Sequence, residues 1–244
     1  MPPRLLVVGT VHLDPAGEQK LGRLLDAVSP GCVTVEVSRW GLLFRDRRGP
    51  ELLRRLAEAV EGRGRTANEA IRALRAMLEE PFEHRASRLH AANRGVRAIP
   101  VDLSSISHAR LADLEREAFT PENVEQLLAD GEFSLSRAIV EQQLLARRYR
   151  WDDHLFPWHF RQEERQELAR RGQVMARVIA GQLQRVAPRP VVHVGGWHHL
   201  VRPKEGGLQT LGTFLDRLGI GWTGLLLGDD LPASWGGGSE ASGN

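Results

Sequence analysis

The strongest constraint on this chain is a set of short apolar runs, each ending in a glycine or polar turn and separated by helical patterns. The clearest are Arg4-Leu-Leu-Val-Val-Gly9, Cys32-Val-Thr-Val-Glu-Val37 and Val191-Val-His-Val194, with weaker ones at 96–101 and 221–227. Runs this short, apolar at consecutive positions, suit strands buried on both faces. Strands alternating with helices predict an α/β fold: a mostly parallel central sheet with helices on both faces.

Helical periodicity fills the middle of the chain. Leu52, Leu53, Leu56, Ala57 and Val60 form one apolar stripe, and Ile71, Leu74 and Leu78 a second. Phe82, Ala86 and Leu89 mark a further helix that Asn93-Arg94-Gly95 should end. Thr120-Pro121-Glu122-Asn123 reads as a helix start, with threonine as cap and proline in the first turn. Two more helices are expected over 134–148 and 160–186. The stretch at about 104–187 is too long for a simple crossover and reads as an insertion or cap. The whole is expected to be a single α/β domain over 1–231, followed by a Gly/Ser-rich tail at 232–244 of disordered composition.

Composition narrows the function classes. The 244 residues carry a formal charge of +2, with 33 basic against 31 acidic side chains, and lysine occurs only at Lys20 and Lys204. So small a net charge offers no general field for nucleic acid. The longest apolar run near the start, Leu5 to Val8, is far shorter than a spanning helix, so neither a membrane partner nor a signal peptide is expected. Cys32 is the only cysteine, which excludes an internal disulfide and suits a buried thiol in a reducing cytoplasm. The expected partner is a small-molecule or peptide substrate, and assembly as a homodimer is compatible with these data.

The chemistry concentrates where strands end. The first run leads into Gly9-Thr10-Val11-His12 and the fourth into Gly195-Gly196-Trp197-His198, with His199 beside it. In an open parallel sheet the carboxyl ends of the strands line the ligand crevice, and glycines there let backbone or ligand approach closely. Two histidines delivered to that edge could share one metal ion. Glu36, between Val35 and Val37, needs a partner if it is buried, or else lies solvated or beside Arg39. Asp102 ends the third run and reads either as a site carboxylate or as a cap for the next helix. Arg171 falls on the apolar stripe of Leu168, Met175, Val178, Ile179 and Gln182, whereas Arg170 and Arg177 project elsewhere. If buried, its guanidinium requires carboxylates or an anion, with Glu36 or a substrate carbonyl as natural partners; the alternative is a side chain snorkelling to water. Glu83 sits at a helix start, where an acid also complements the dipole. Asp14 reads as a further ligand or an ordinary turn, His154 and His159 as an aromatic packing corner or the lining of a lid, and His193 as a core histidine. Dinucleotide, P-loop and serine-elbow motifs are absent, as are a His-Glu-x-x-His zinc motif and a cysteine pair.

These residues together resemble the TraB/PrgY and Tiki group, in a superfamily shared with erythromycin esterases and ChaN-like haem-binding proteins. The resemblance rests on Val-Val-Gly9-Thr-Val-His12, Glu36, Phe82-Glu83, Val101-Asp102, Arg171-Gly-Gln-Val-Met175 and Val-Gly195-Gly-Trp-His198. It implies a soluble hydrolase of peptidase or esterase type, with His12, Glu36, Arg171 and His198 as the core. His12, His198 and Glu36 would hold a divalent metal ion, and Gly9, Gly195, Glu83 and Asp102 would support a cofactor. Esterase-like members use His and Glu without a required metal, and a haem- or metal-binding protein without turnover is the alternative. The chain departs from the pattern at Leu103, Arg170 and Trp197.

Overall fold

In a computed structural model of the chain, residues 4–63, 67–129, 133–149, 161–201 and 208–235 are described. Five strands, β1 (Leu5–Thr10), β2 (Cys32–Val35), β3 (Arg97–Pro100), β4 (Val191–Gly196) and β5 (Trp222–Leu226), form one sheet in the order β3-β2-β4-β1-β5. Every pairing is parallel. The expected fold class is therefore the observed one. β1 and β4 are adjacent, with Gly9 opposite Gly195 and Thr10 opposite Gly196. The two Gly-x-x-His segments thus leave the sheet side by side.

Alternating side chains divide between two cores, as the strand period of two requires. Leu5 and Val7 pack with the long helix α9 (Gln162–Val186) and with α10 (Leu211–Arg217). Leu6 and Val8 face α1 (Gly17–Val28) and α5 (Phe82–Arg94) on the other side. The remaining helices build a cap over the carboxyl edge: α2 (Arg39–Arg47), α3 (Gly49–Glu61), α4 (Glu69–Leu78), α6 (Ser104–Glu117), α7 (Pro121–Ala129) and α8 (Leu135–Tyr149).

That cap differs from the single insertion expected. Leu56 and Val60 of α3, and Ile71 and Leu74 of α4, share a core with Val124 and Leu128 of α7. The segment between β2 and β3 thus contributes as much as the one after β3. The reason is that the stripes on α3 and α4 find no sheet to cover and bury themselves against α7 instead. α5 ends as expected at Gly95, in the left-handed region at φ 63°, but Leu89 is exposed rather than part of its buried stripe. The ordered chain also runs past residue 231. Ala233–Trp235 forms a short 3₁₀ turn, and Trp235 is buried against β1 and β5. Residues 236–244, expected to be a disordered tail, lie outside the described residues, as do His154 and His159. No described helix is long and apolar enough to cross a membrane.

Candidate active site

The glycines of the two Gly-x-x-His segments have a specific steric use. A Cβ on Gly9 would stand 2.5 Å from Leu200 Cδ1 and 2.8 Å from the backbone of Trp197. Without it, the 3₁₀ turn Trp197–Leu200 that follows β4 can lie across the end of β1. A Cβ on Gly195 would meet Glu36 Oε2 at 2.6 Å, and one on Gly196 would meet His198 Cε1 at 2.4 Å and His12 Nε2 at 3.3 Å. His12 and His198 therefore converge over Gly196, as the paired motifs predict. Gly9 and Gly195, expected to support a cofactor, make room for the protein's own side chains.

His12 is fixed through one nitrogen. Its Nδ1 lies 2.7 Å from Glu83 Oε1, and Thr10 Oγ1 donates to the same oxygen at 2.9 Å. Glu83 is buried on α5, where α5 starts without a side-chain cap, so its work is to hold His12 rather than to cap the helix. The His12 side chain is 56% exposed. Partial desolvation lowers its pKa, but the hydrogen bond and charge of Glu83 outweigh this and hold it above the ordinary histidine value.

Arg171 is largely but not fully buried, with 13% of its side chain exposed, and it turns to carboxylates rather than to water. Nε donates to Asp102 Oδ1 at 2.8 Å, while Nη2 donates to Asp102 Oδ2 at 3.0 Å and to Glu36 Oε1 at 2.5 Å. Glu36 has the partner its burial demands: Arg171 rather than Arg39. Asp102 pairs with Arg171 and makes no cap, since α6 also begins without one. The second oxygen of Glu36 accepts from Gly196 N–H at 2.6 Å, tying β2 to the turn that carries His198. Burial alone would raise the pKa of Glu36, yet His199 and Arg171 beside it hold it well below the usual carboxylate range.

His199 is the residue the sequence reading passed over. Its Nε2 lies 2.9 Å from Glu36 Oε1 in ion-pair contact, though without hydrogen-bond geometry. His198 is farther, with Nε2 at 3.9 Å from the same oxygen. Burial and the neighbouring His199 push the His198 pKa well below its ordinary value, so the ring is neutral. His193, wholly buried on β4, rests its Nδ1 3.1 Å from Thr34 Oγ1, and burial lowers its pKa to about 3. It is the core histidine expected. The rings of His198 and His199 stand 4.4 Å apart and both reach toward Glu36 Oε1, with His199 buried and His198 part-exposed.

A cavity of about 610 Å³ opens above these groups, between the sheet edge and the cap. His12, Glu36, Glu83 and Asp102 line its floor, with Arg45 and Met77 on the cap side; Arg171 and His198 are not among its lining residues. Arg45, which the sequence also did not single out, donates to the carbonyls of Met77 and Gly41. Asp14 makes an ordinary turn, accepting from Ala16 N–H and Lys20.

Glu36, His198 and His199 bring three donor atoms within 4.8 Å of one another, so the compact group contains His199 and not His12. It suits a divalent cation poorly. Oε1 of Glu36 already carries the Arg171 guanidinium, and Oε2 the Gly196 N–H. A dication on that carboxylate would sit beside a permanent positive charge.

The chain matches no family model and no curated protein by sequence. Among solved structures it is similar to an erythromycin esterase mutant in its open conformation. That match has 13% identity and a TM-score of 0.40, over 92% of this chain and 70% of that one. At that score no residue-by-residue correspondence is drawn.

Proposed function

We propose that this chain is a hydrolase of esters or amides in which His12 is the general base. The observation that carries the reading is the His12–Glu83 pair: one ring nitrogen anchored on a buried carboxylate, the ring itself exposed on the floor of the cavity. A base oriented in this way, its pKa held above the ordinary histidine value by Glu83, is suited to proton transfer. Water held at His12 Nε2 gives up a proton as its oxygen attacks the substrate carbonyl carbon, and the imidazolium returns that proton to the leaving oxygen or nitrogen. Glu83 stabilises the imidazolium formed between the two steps. Neutral His198, across Gly196 from His12, adds no charge that would oppose it. Arg171 has a positioning role, because its Nε and Nη2 donors are committed to Asp102 and Glu36. The TraB/PrgY and Tiki resemblance agrees with a hydrolase built from these residues. The crowding of Glu36 by Arg171 favours its metal-independent form.

The test is turnover of a panel of nitrophenyl esters and chromogenic amides by the full chain, before and after chelation, with His12→Gln as control. Hydrolysis that survives chelation and falls by about 10²-fold or more in His12→Gln supports the reading. Hydrolysis abolished by chelation and restored by one divalent metal overturns the metal-independent mechanism. Inertness across the panel together with a Soret band on adding haem would show a binding protein instead.

A further inference from the structure

Next to the reactive cavity lies a second one of about 530 Å³, and the two share Met77 and Leu114 as a common wall. Its other sides come from the cap: Ala70, Ala73 and Leu74 on α4, Leu127 on α7, and Phe133 just before α8. Glu117 is its only charged lining residue among those described, whereas the reactive cavity is lined by seven acids and three arginines. Two apolar side chains here face water in part, Met77 at 41% and Phe133 at 37% exposed. The alanines at 70 and 73 leave the groove between α4, α6 and α7 unfilled. Burying a hydrocarbon segment there would remove both surfaces from water.

We infer that this chamber is the apolar-tail subsite of the reactive cavity: the scissile carbonyl stands at His12, and an extended hydrocarbon chain passes Met77 and lies between α4 and α7. The shared wall identifies the occupant as part of the same substrate. A protein partner would need a surface of about 800 Å² on this side, more than such a chamber offers. Methionine is suited to the common wall, since an unbranched thioether side chain changes rotamer to admit chains of different length. The inference rests on the hydrolase reading for the position of the carbonyl, but the chamber itself can be tested without turnover.

Methyl ketones from butanone to decanone carry the carbonyl and no leaving group, so calorimetry on the full chain reads binding alone. The dissociation constant is expected to tighten by about fourfold per added methylene once the tail reaches the chamber. Ala73→Trp and Leu127→Trp fill the chamber from two different helices, and each should flatten that dependence. Met77→Ala, at a partly exposed position, should let the dependence begin at a shorter chain. The nitrophenyl esters of the same chain lengths should show the same slope in kcat/KM. Length-dependent ketone binding that both tryptophans abolish establishes the chamber, and if no ester is turned over it does so while the hydrolase reading falls. Ketone binding independent of chain length, or a slope that survives both tryptophans in folded protein, overturns the inference.

Discussion

His12 Nδ1, in the turn after β1, lies 2.7 Å from Oε1 of Glu83, a residue 71 positions away on α5, and Thr10 Oγ1 donates to that oxygen at 2.9 Å. The carboxylate both selects the ring nitrogen that faces the cavity and raises the pKa of His12. Glu83→Gln keeps the shape and removes the charge. At neutral pH, kcat/KM is expected to fall by about 10²-fold. The acid limb of its pH profile should move to lower pH, because the raising influence on His12 has gone. A profile unchanged in height and position would remove Glu83 from the mechanism.

Arg171 neutralises two carboxylates whose side chains are 3% and 7% exposed, Glu36 and Asp102. Arg171→Met leaves Asp102 buried without its cation and Glu36 with only His199 and the Gly196 N–H beside it, a change that typically costs about 3–5 kcal/mol. Urea denaturation should show that loss, and adding Glu36→Gln should recover part of it. A double mutant no more stable than Arg171→Met alone would mean that Asp102 carries the whole coupling.

Much of this arrangement was legible in the sequence because it follows from local pattern. The glycine at each strand exit, the histidine three residues on and the carboxylates after β2 and β3 reach one edge because parallel strands all end there. Arg171 could be read because one charged residue among Leu168, Met175 and Ile179 violates the apolar stripe. The role of His199 was not legible, since nothing in the sequence says which of two adjacent histidines turns inward. Glu36 was expected as a partner of Arg171, but nothing in the sequence pointed to Asp102 as a second one, and Arg171 takes both. The double origin of the cap lay beyond periodicity too. A stripe such as that on α3 states that a face is buried, not what buries it.

Acid should destabilise the fold from an unusually high pH. His193 and His198 stay neutral in the folded state, whereas unfolded imidazoles titrate near pH 6.5. Below that value the unfolded chain binds protons the native state refuses, so stability falls as pH falls, by about 1.4 kcal/mol per pH unit for each histidine. Glu36 adds to this below about pH 4.5, because a depressed carboxylate pKa gives stability that is present above the unfolded value and lost on acidification. His12 acts in the opposite sense. Its raised pKa favours the fold at low pH, and that contribution disappears as pH rises through the folded value. Urea titrations between about pH 6.5 and 5 should therefore show a steep slope that His193→Gln reduces, with His90, whose pKa burial also lowers, adding to the remainder. A flat slope would mean that both rings protonate in the folded state.

The chain past residue 231 is expected to contribute to stability rather than trail from it. Trp235 packs in the core with Leu6, Val8 and Leu225, on the face of the sheet away from α9. The Arg4 guanidinium stands 4.1 Å over its ring and also donates to the Ser234 carbonyl, so β1 and the last turn are tied together. The indole N–H donates to Thr223 Oγ1 at 3.3 Å on β5. Trp235→Ala removes a large buried side chain and opens a void beside the edge strand, a loss of about 3 kcal/mol or more. Trp235 is not among the residues that line the reactive cavity, so kcat/KM at a temperature where the variant is folded should match the unsubstituted protein. A loss below about 0.5 kcal/mol, the range of ordinary surface substitutions, would place Trp235 outside the cooperative fold.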